Sequence, residues 1–155
     1  MDKESRVRAG DHKALRLWLR LLTCTRHIET HVRARLRGRF GTTLPRFDLM
    51  SQLERHPEGL RMNALSRRMM VTGGNVTGIV DQLAAEGLVE RLDDEGDRRA
   101  YRVRLTQAGS RVFSEMAREH ETWIVELLAG LSKREHEDLF SLLAKVKAHT
   151  LEITR

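Results

Sequence analysis

The chain has 155 residues, 40% of them apolar but only 5% aromatic, and 28 Lys and Arg against 22 Asp and Glu leave a net charge of +6. That length suits one ordinary domain, or a small module fused to an assembly element. No apolar run approaches the ~20 residues of a bilayer span, Met1-Asp2-Lys3-Glu4 lacks a signal's apolar core, and the single cysteine (Cys24) excludes an intramolecular disulfide framework, so the expected location is the reducing cytoplasm, away from membranes.

In chain order, residues 11–38 form one helix, with Leu15, Trp18, Leu19 and Leu22 at the i, i+3, i+4, i+7 spacing. Leu17 and Leu21 make it apolar on a second side, which predicts burial between subunits. A break at residues 38–43 precedes a shorter helix begun by Leu44 and Phe47 and ended by the turn at Pro57 and Gly59. Met62, Leu65 and Met69 mark a third helix. Thr72 opens a fourth, whose buried face is Val76, Ile79, Val80 and Leu83. Gly87 fits a left-handed closing position, with Leu88 folding back on Leu83. The period then changes. Tyr101, Val103 and Leu105 alternate with Arg102 and Arg104, as in a half-buried strand, with residues 88–92 as its antiparallel mate and residues 93–98 as the turn. Thr106 caps a long helix to about residue 130, and Ser132 caps a last one striped by Leu139, Leu142, Leu143 and Val146.

This order predicts a mainly α chain with a small β-ribbon. The layout is a winged helix-turn-helix over residues 44–106, flanked by helical dimerisation regions at 1–43 and 107–155. Terminal helices packed on a second copy would give a two-fold homodimer, with its two reading helices about one turn of double-stranded DNA apart.

Charge is spread unevenly. Residues 1–43 hold 11 basic and 4 acidic side chains, whereas residues 61–107 hold 8 and 7. Attraction to a polyanion must therefore come from the placement of arginines, helped by the N-terminal region. Opposite the buried face of the fourth helix stand Gly74, Asn75, Thr77, Gly78 and Gln82. Their short or medium donor and acceptor groups suit base edges, Asn and Gln pairing with adenine. Gly73, Gly74 and Gly78 each cost roughly 1 kcal/mol in a helix relative to Ala. Close approach of backbone to phosphate or base explains them, as does tight packing on a neighbouring helix. Thr72 as N-cap can hold a phosphate at the positive end of the helix dipole. At the ribbon tip Arg99 can project into a minor groove, Asp97 can clamp its guanidinium, and Arg98 can serve phosphate. Asp93, Asp94 and Glu95 make the same loop acidic. The bland alternatives are an ordinary amphipathic helix and a surface hairpin with local ion pairs.

The run Leu88-Val89-Glu90-Arg91, the Asp97-Arg98-Arg99 tip and Leu105-Thr106-Gln107-Ala108-Gly109 resemble the MarR family of bacterial transcriptional regulators. The resemblance covers nearly the whole chain. It implies a homodimer on a pseudo-palindromic operator, usually a repressor released by a small ligand, with Asp97 and Arg99 as the wing pair and the helix from Thr72 in the major groove. The segments Thr43-Leu44-Pro45-Arg46-Phe47-Asp48 and Gly74-Asn75-Val76-Thr77-Gly78 resemble a branch linked to aromatic-compound catabolism, which implies an anionic aromatic acid or its CoA thioester as effector.

Such an architecture places a ligand pocket near the first, second and fifth helices, with Trp18, His27, His31, Arg46, Phe47 and Met50 as candidates. Arg33, Arg35, Arg37 and Arg39 suit an anionic effector, or a solvated helix end that complements the dipole. Cys24, His27 and His31 fall within about 60° on the helical wheel, so metal or thiol sensing on the same scaffold is an alternative reading. A third is a winged-helix module that binds protein instead of DNA. No cofactor is called for. His120-Glu121 and His136-Glu137 lack the second histidine of a zinc-hydrolase motif, and neither a GxSxG run nor a phosphate-binding Gly loop with a Lys occurs, so no enzyme is expected.

Overall fold

The computed structural model describes residues 12–70, 75–94 and 97–155. Thr72 and Gly74, with the side chains of residues 94–99, lie outside what it describes. The chain divides into two units, Met1–His120 and Glu121–Arg155.

In the first unit, α1 spans Lys13–Phe40. The predicted break falls at residues 41–43, the helix running two residues past Gly38. A lone helical glycine costs only about 1 kcal/mol, and fully buried Leu36 anchors the same turn. The helix closes at left-handed Gly41, which donates its N–H to the Arg37 carbonyl at 3.0 Å. Thr43 then caps α2 (Leu44–Glu54), its hydroxyl accepting the Arg46 N–H at 3.3 Å, with Pro45 in the first turn. Eight of the eleven residues of α2 are buried, so it is the central rod of the unit.

Leu60–Arg61 forms β1, which pairs antiparallel with a later strand through Leu60↔Val103 and Arg61↔Arg102. The expected two-stranded ribbon is thus a three-stranded sheet in the order β1-β3-β2. Two residues show no period, which hid β1 from the pattern. Helix α3 (Met62–Arg68) buries Leu65.

Helix α4 spans Val76–Ala85, with extended Asn75 as its N-cap. The expected cap, Thr72, lies outside the described residues. The C-terminus closes as predicted. Left-handed Gly87 (φ 73°) donates to the Ala84 carbonyl at 3.0 Å, and Leu88 donates to the Leu83 carbonyl at 2.9 Å.

Strands β2 (Val89–Asp94) and β3 (Asp97–Leu105) pair from Val89↔Leu105 to Asp94↔Asp97, with a bulge between Asp93 and Asp94. Thr106 then ties the sheet to α5 (Gln107–Leu127). Its hydroxyl donates to the Gly87 carbonyl at 2.7 Å and accepts the Gly109 N–H at 3.0 Å. Leu36, Leu49, Met50, Leu53, Leu65, Val80, Leu83 and Val103 are the largest fully buried side chains, and all belong to this unit. Each contributes about 1.5–3 kcal/mol by leaving water.

The second unit is the end of α5, a turn, and α6 (Lys133–Ile153). Ser132 and Glu135 form a reciprocal capping box, with N–H···O distances of 3.1 and 2.9 Å. No residue of α6 is buried. Among the described residues, no helix is long and apolar enough to cross a membrane.

Candidate nucleic-acid interface

Helix α4 is held from below by apolar burial and at its C-terminal end by a polar tie to α2, which also ties down the end of α3. Ile79, Val80 and Leu83 are buried, and Val76 is half-buried. At the N-terminal approach, the carboxylate of buried Asp48 accepts the Met70 backbone N–H at 2.6 Å and the Gln52 side-chain amide at 3.2 Å. A buried carboxylate is costly without such donors, so this one fixes the chain where it leaves α3. At the other end, Arg46 pairs with Glu86, the C-cap of α4. Asp48 lies 22 residues from Met70, and Arg46 lies 40 from Glu86. No periodicity could have disclosed either tie.

With its inner face fixed, α4 presents Asn75, Thr77, Asp81 and Gln82 to solvent, and Gly78 is half-buried beneath the Asn75 side chain. Asp81 is the one charge on this edge. It pairs with Arg91 of β2, whose guanidinium also lies 5.6 Å from the centre of the Tyr101 ring. The pair neutralises a carboxylate that would repel phosphate. It leaves a row of amide and hydroxyl groups as the outward chemistry of the helix.

The ribbon is straightened by Arg104, which donates to Glu90 on the neighbouring strand at 2.6 Å. Asp97, Arg98 and Arg99 fall at the start of β3, beside the turn. The acidic and basic tip is therefore carried at the far end of the sheet from Thr106.

A cleft of about 360 Å³ opens beside the exposed edge of α4. Its walls include Arg33 and Arg37 of α1, Arg46 of α2, and Asn75, Gly78 and Gln82 of α4. Arg46 is the most enclosed of the three cations, with 18% of its side chain exposed and its Nε–H without an acceptor among the described residues. The closeness of α1 to α4 was not readable from sequence, because some forty residues separate the two walls.

Among the described residues, those expected around an effector are placed as follows. Arg46 lines the cleft beside α4. Phe47 and Met50 are packed into the core, the Phe47 ring lying 5.4 Å from Phe113 and 4.8 Å from His120. Trp18 and His27 are exposed on α1, and His31 is half-buried with Nε2 unpartnered among the described residues. Cys24 is exposed, and no trio of His, Cys, Asp or Glu among the described residues is placed to hold a metal ion, so Cys24, His27 and His31 do not form one. Arg39 forms a fork with Glu119 on α5, with N···O distances of 2.8–3.1 Å. That pairing lowers the Glu119 pKa and raises that of Arg39.

A model of the MarR family matches residues 40–100 of the chain, the stretch that contains α2 through the ribbon tip. A crystal structure of a MarR family transcriptional regulator from Silicibacter pomeroyi superposes with a TM-score of 0.77 at 29% identity, covering 91% of this chain and 99% of that one. The HTH-type transcriptional regulator PecS of Dickeya dadantii is 28% identical over 105 residues, covering 66% of this chain. The chain spans 63% of the length of that relative. A third similarity, to Sco3205 of Streptomyces coelicolor, a MarR family regulator crystallised in complex with DNA, is one of fold, with a TM-score of 0.75 at 21% identity over 92% of this chain and 91% of that one.

Proposed function

We propose that this chain, which carries a MarR-type winged helix, regulates transcription as a homodimer that sets one α4 per protomer into successive major grooves of a two-fold operator. The observation that carries the reading is the outward edge of α4. Asn75, Thr77 and Gln82 are exposed on a helix whose other side is locked into the core. Uncharged donors and acceptors of short reach, backed by half-buried Gly78, suit base edges in the major groove. Thr72 and Gly74, just before the helix, complete the proposed contacts with backbone N–H groups near phosphate. At the wing, Arg99 enters the adjacent minor groove, Asp97 orients it, and Arg98 contacts phosphate.

Dimerisation is supported in each unit separately. On α1, Leu15, Leu17 and Trp18 are 43–56% exposed, and on α6 Phe140, Leu142, Leu151 and Ile153 are 56–73% exposed. Exposed apolar side chains in this number call for a cover, and a second copy would supply one with matching symmetry. In the same proposal the dimer is a repressor released by an anionic aromatic ligand, in keeping with the resemblance of residues 43–48 and 74–78 to the aromatic-catabolism branch.

The test is competitive binding of the chain's upstream duplex against a shuffled duplex, for the unaltered protein, Gln82→Ala and Arg99→Ala. Gln82→Ala should lose about 1–3 kcal/mol of discrimination at one base position per half-site, and Arg99→Ala should lose affinity without loss of thermal stability. Equal binding of both duplexes by the unaltered protein would contradict the proposal. Thermal-shift screening of aromatic acids and their CoA esters addresses the effector, since a ligand of the native state raises Tm by mass action.

A further inference from the structure

Base reading by α4 leaves the basic cleft beside it unexplained. Three of its wall residues are arginines, and none is acidic. Their charges are not equally committed. Arg46 is pinned to Glu86. Arg33 is only 4.0 Å from Glu29, with both side chains well exposed to water, where such pairs are weak. The Arg37 guanidinium has no hydrogen bond or ion pair among the described residues, although its backbone carbonyl helps close α1. With Arg46 committed to Glu86 and Arg33 only loosely to Glu29, the Arg37 charge at the cleft is unneutralised among the described residues, and an oxyanion would complement it. Guanidinium groups match phosphate oxygens in geometry as well as charge.

Position identifies the source of the anion. Asn75 and Gln82 stand on the exposed edge of α4 and also form one wall of the cleft. If that edge lies against bases, the sugar–phosphate strand bordering the groove runs past the cleft mouth. We infer that the cleft is a phosphate seat for the same duplex that α4 reads, with Arg37 as the principal contact and Arg33 as the second. The inference rests on the operator reading above and extends the interface to α1, outside the winged helix. It also gives a use to the basic surplus of residues 1–43, since residues 61–107 are nearly neutral. Contacts of this type fix register and affinity and carry no base preference.

The chemistry would equally admit a free oxyanion from solution, and two measurements separate the sources. The first is duplex affinity across a salt series for the full chain, Arg37→Gln, Arg33→Gln and Arg37→Lys, on the upstream duplex and a shuffled one. Each Gln variant should weaken both duplexes by a similar factor and flatten the slope of log K against log salt by about 0.9 per lost contact. Arg37→Lys, which keeps the charge, should restore most of the slope. The second is the Tm of the same proteins with inorganic phosphate. Both Gln variants should melt with the unaltered chain, because the substituted side chains are exposed. An unchanged slope in Arg37→Gln overturns the inference, as does a loss confined to the preferred duplex. A phosphate-dependent rise in Tm that Arg37→Gln abolishes, with the slope unchanged, would reassign the cleft to a free anion and overturn it too. Failure of the unaltered chain to bind any duplex would sink the operator reading itself, and this inference with it.

Discussion

Two residues show how tightly local chemistry constrains the reading module. A β-carbon at Gly109 would come within 1.9 Å of the Leu88 carbonyl oxygen, which is backbone and cannot swing aside. The Leu105-Thr106-Gln107-Ala108-Gly109 run is thus a packing device, with Thr106 sealing the helix start and Gly109 letting it approach the sheet. Gly109→Ala should destabilise the chain by at least about 2 kcal/mol, visible as a Tm drop of several degrees, and an unchanged Tm would disprove the close approach. His120 supplies a second test. Its ring lies against Phe47, and burial holds its pKa below the usual histidine value. The unfolded chain therefore takes up a proton first as pH falls through about 6.5. Stability is full above that pH and declines toward the folded-state pKa. Thermal melts from about pH 8 to about pH 5 should trace that decline, and His120→Phe should flatten it.

Among the elements, α2 organises the framework behind the candidate interface. It buries eight side chains, anchors Met70 through Asp48, and holds the end of α4 through Arg46. What could be read from sequence was what neighbouring residues decide among themselves. The buried stripe of Ile79, Val80 and Leu83, the Gly87 closure, the Thr106 and Ser132 caps and the alternation in β3 all rest on contacts within a few positions. Three features were hidden because distance or brevity erased their pattern. Strand β1 is two residues long and pairs with residues some forty positions away. The tie from Arg46 to Glu86 spans 40 positions. The juxtaposition of Arg33 and Arg37 with Asn75 and Gln82 joins helices that share no sequence period. The exposed edge of α4 was legible in Asn75, Thr77 and Gln82, while the Asp81–Arg91 pair that neutralises it was not.

At the scale of the molecule, apolar surface and charge point the same way. Exposed leucines and Trp18 on α1, and exposed leucines and Phe140 on α6, suit a second copy, and the arginines of α1 and α2 suit phosphate beside α4. The proposed function accounts for both with one arrangement, a paired chain presenting two reading helices to one duplex. Fluorescence-detected sedimentation of the labelled upstream duplex, with excess shuffled duplex as competitor, reads mass and preference together. The prediction is a complex of two chains per duplex that the competitor fails to displace. A complex of one chain per duplex, or displacement in simple proportion to competitor concentration, would contradict it.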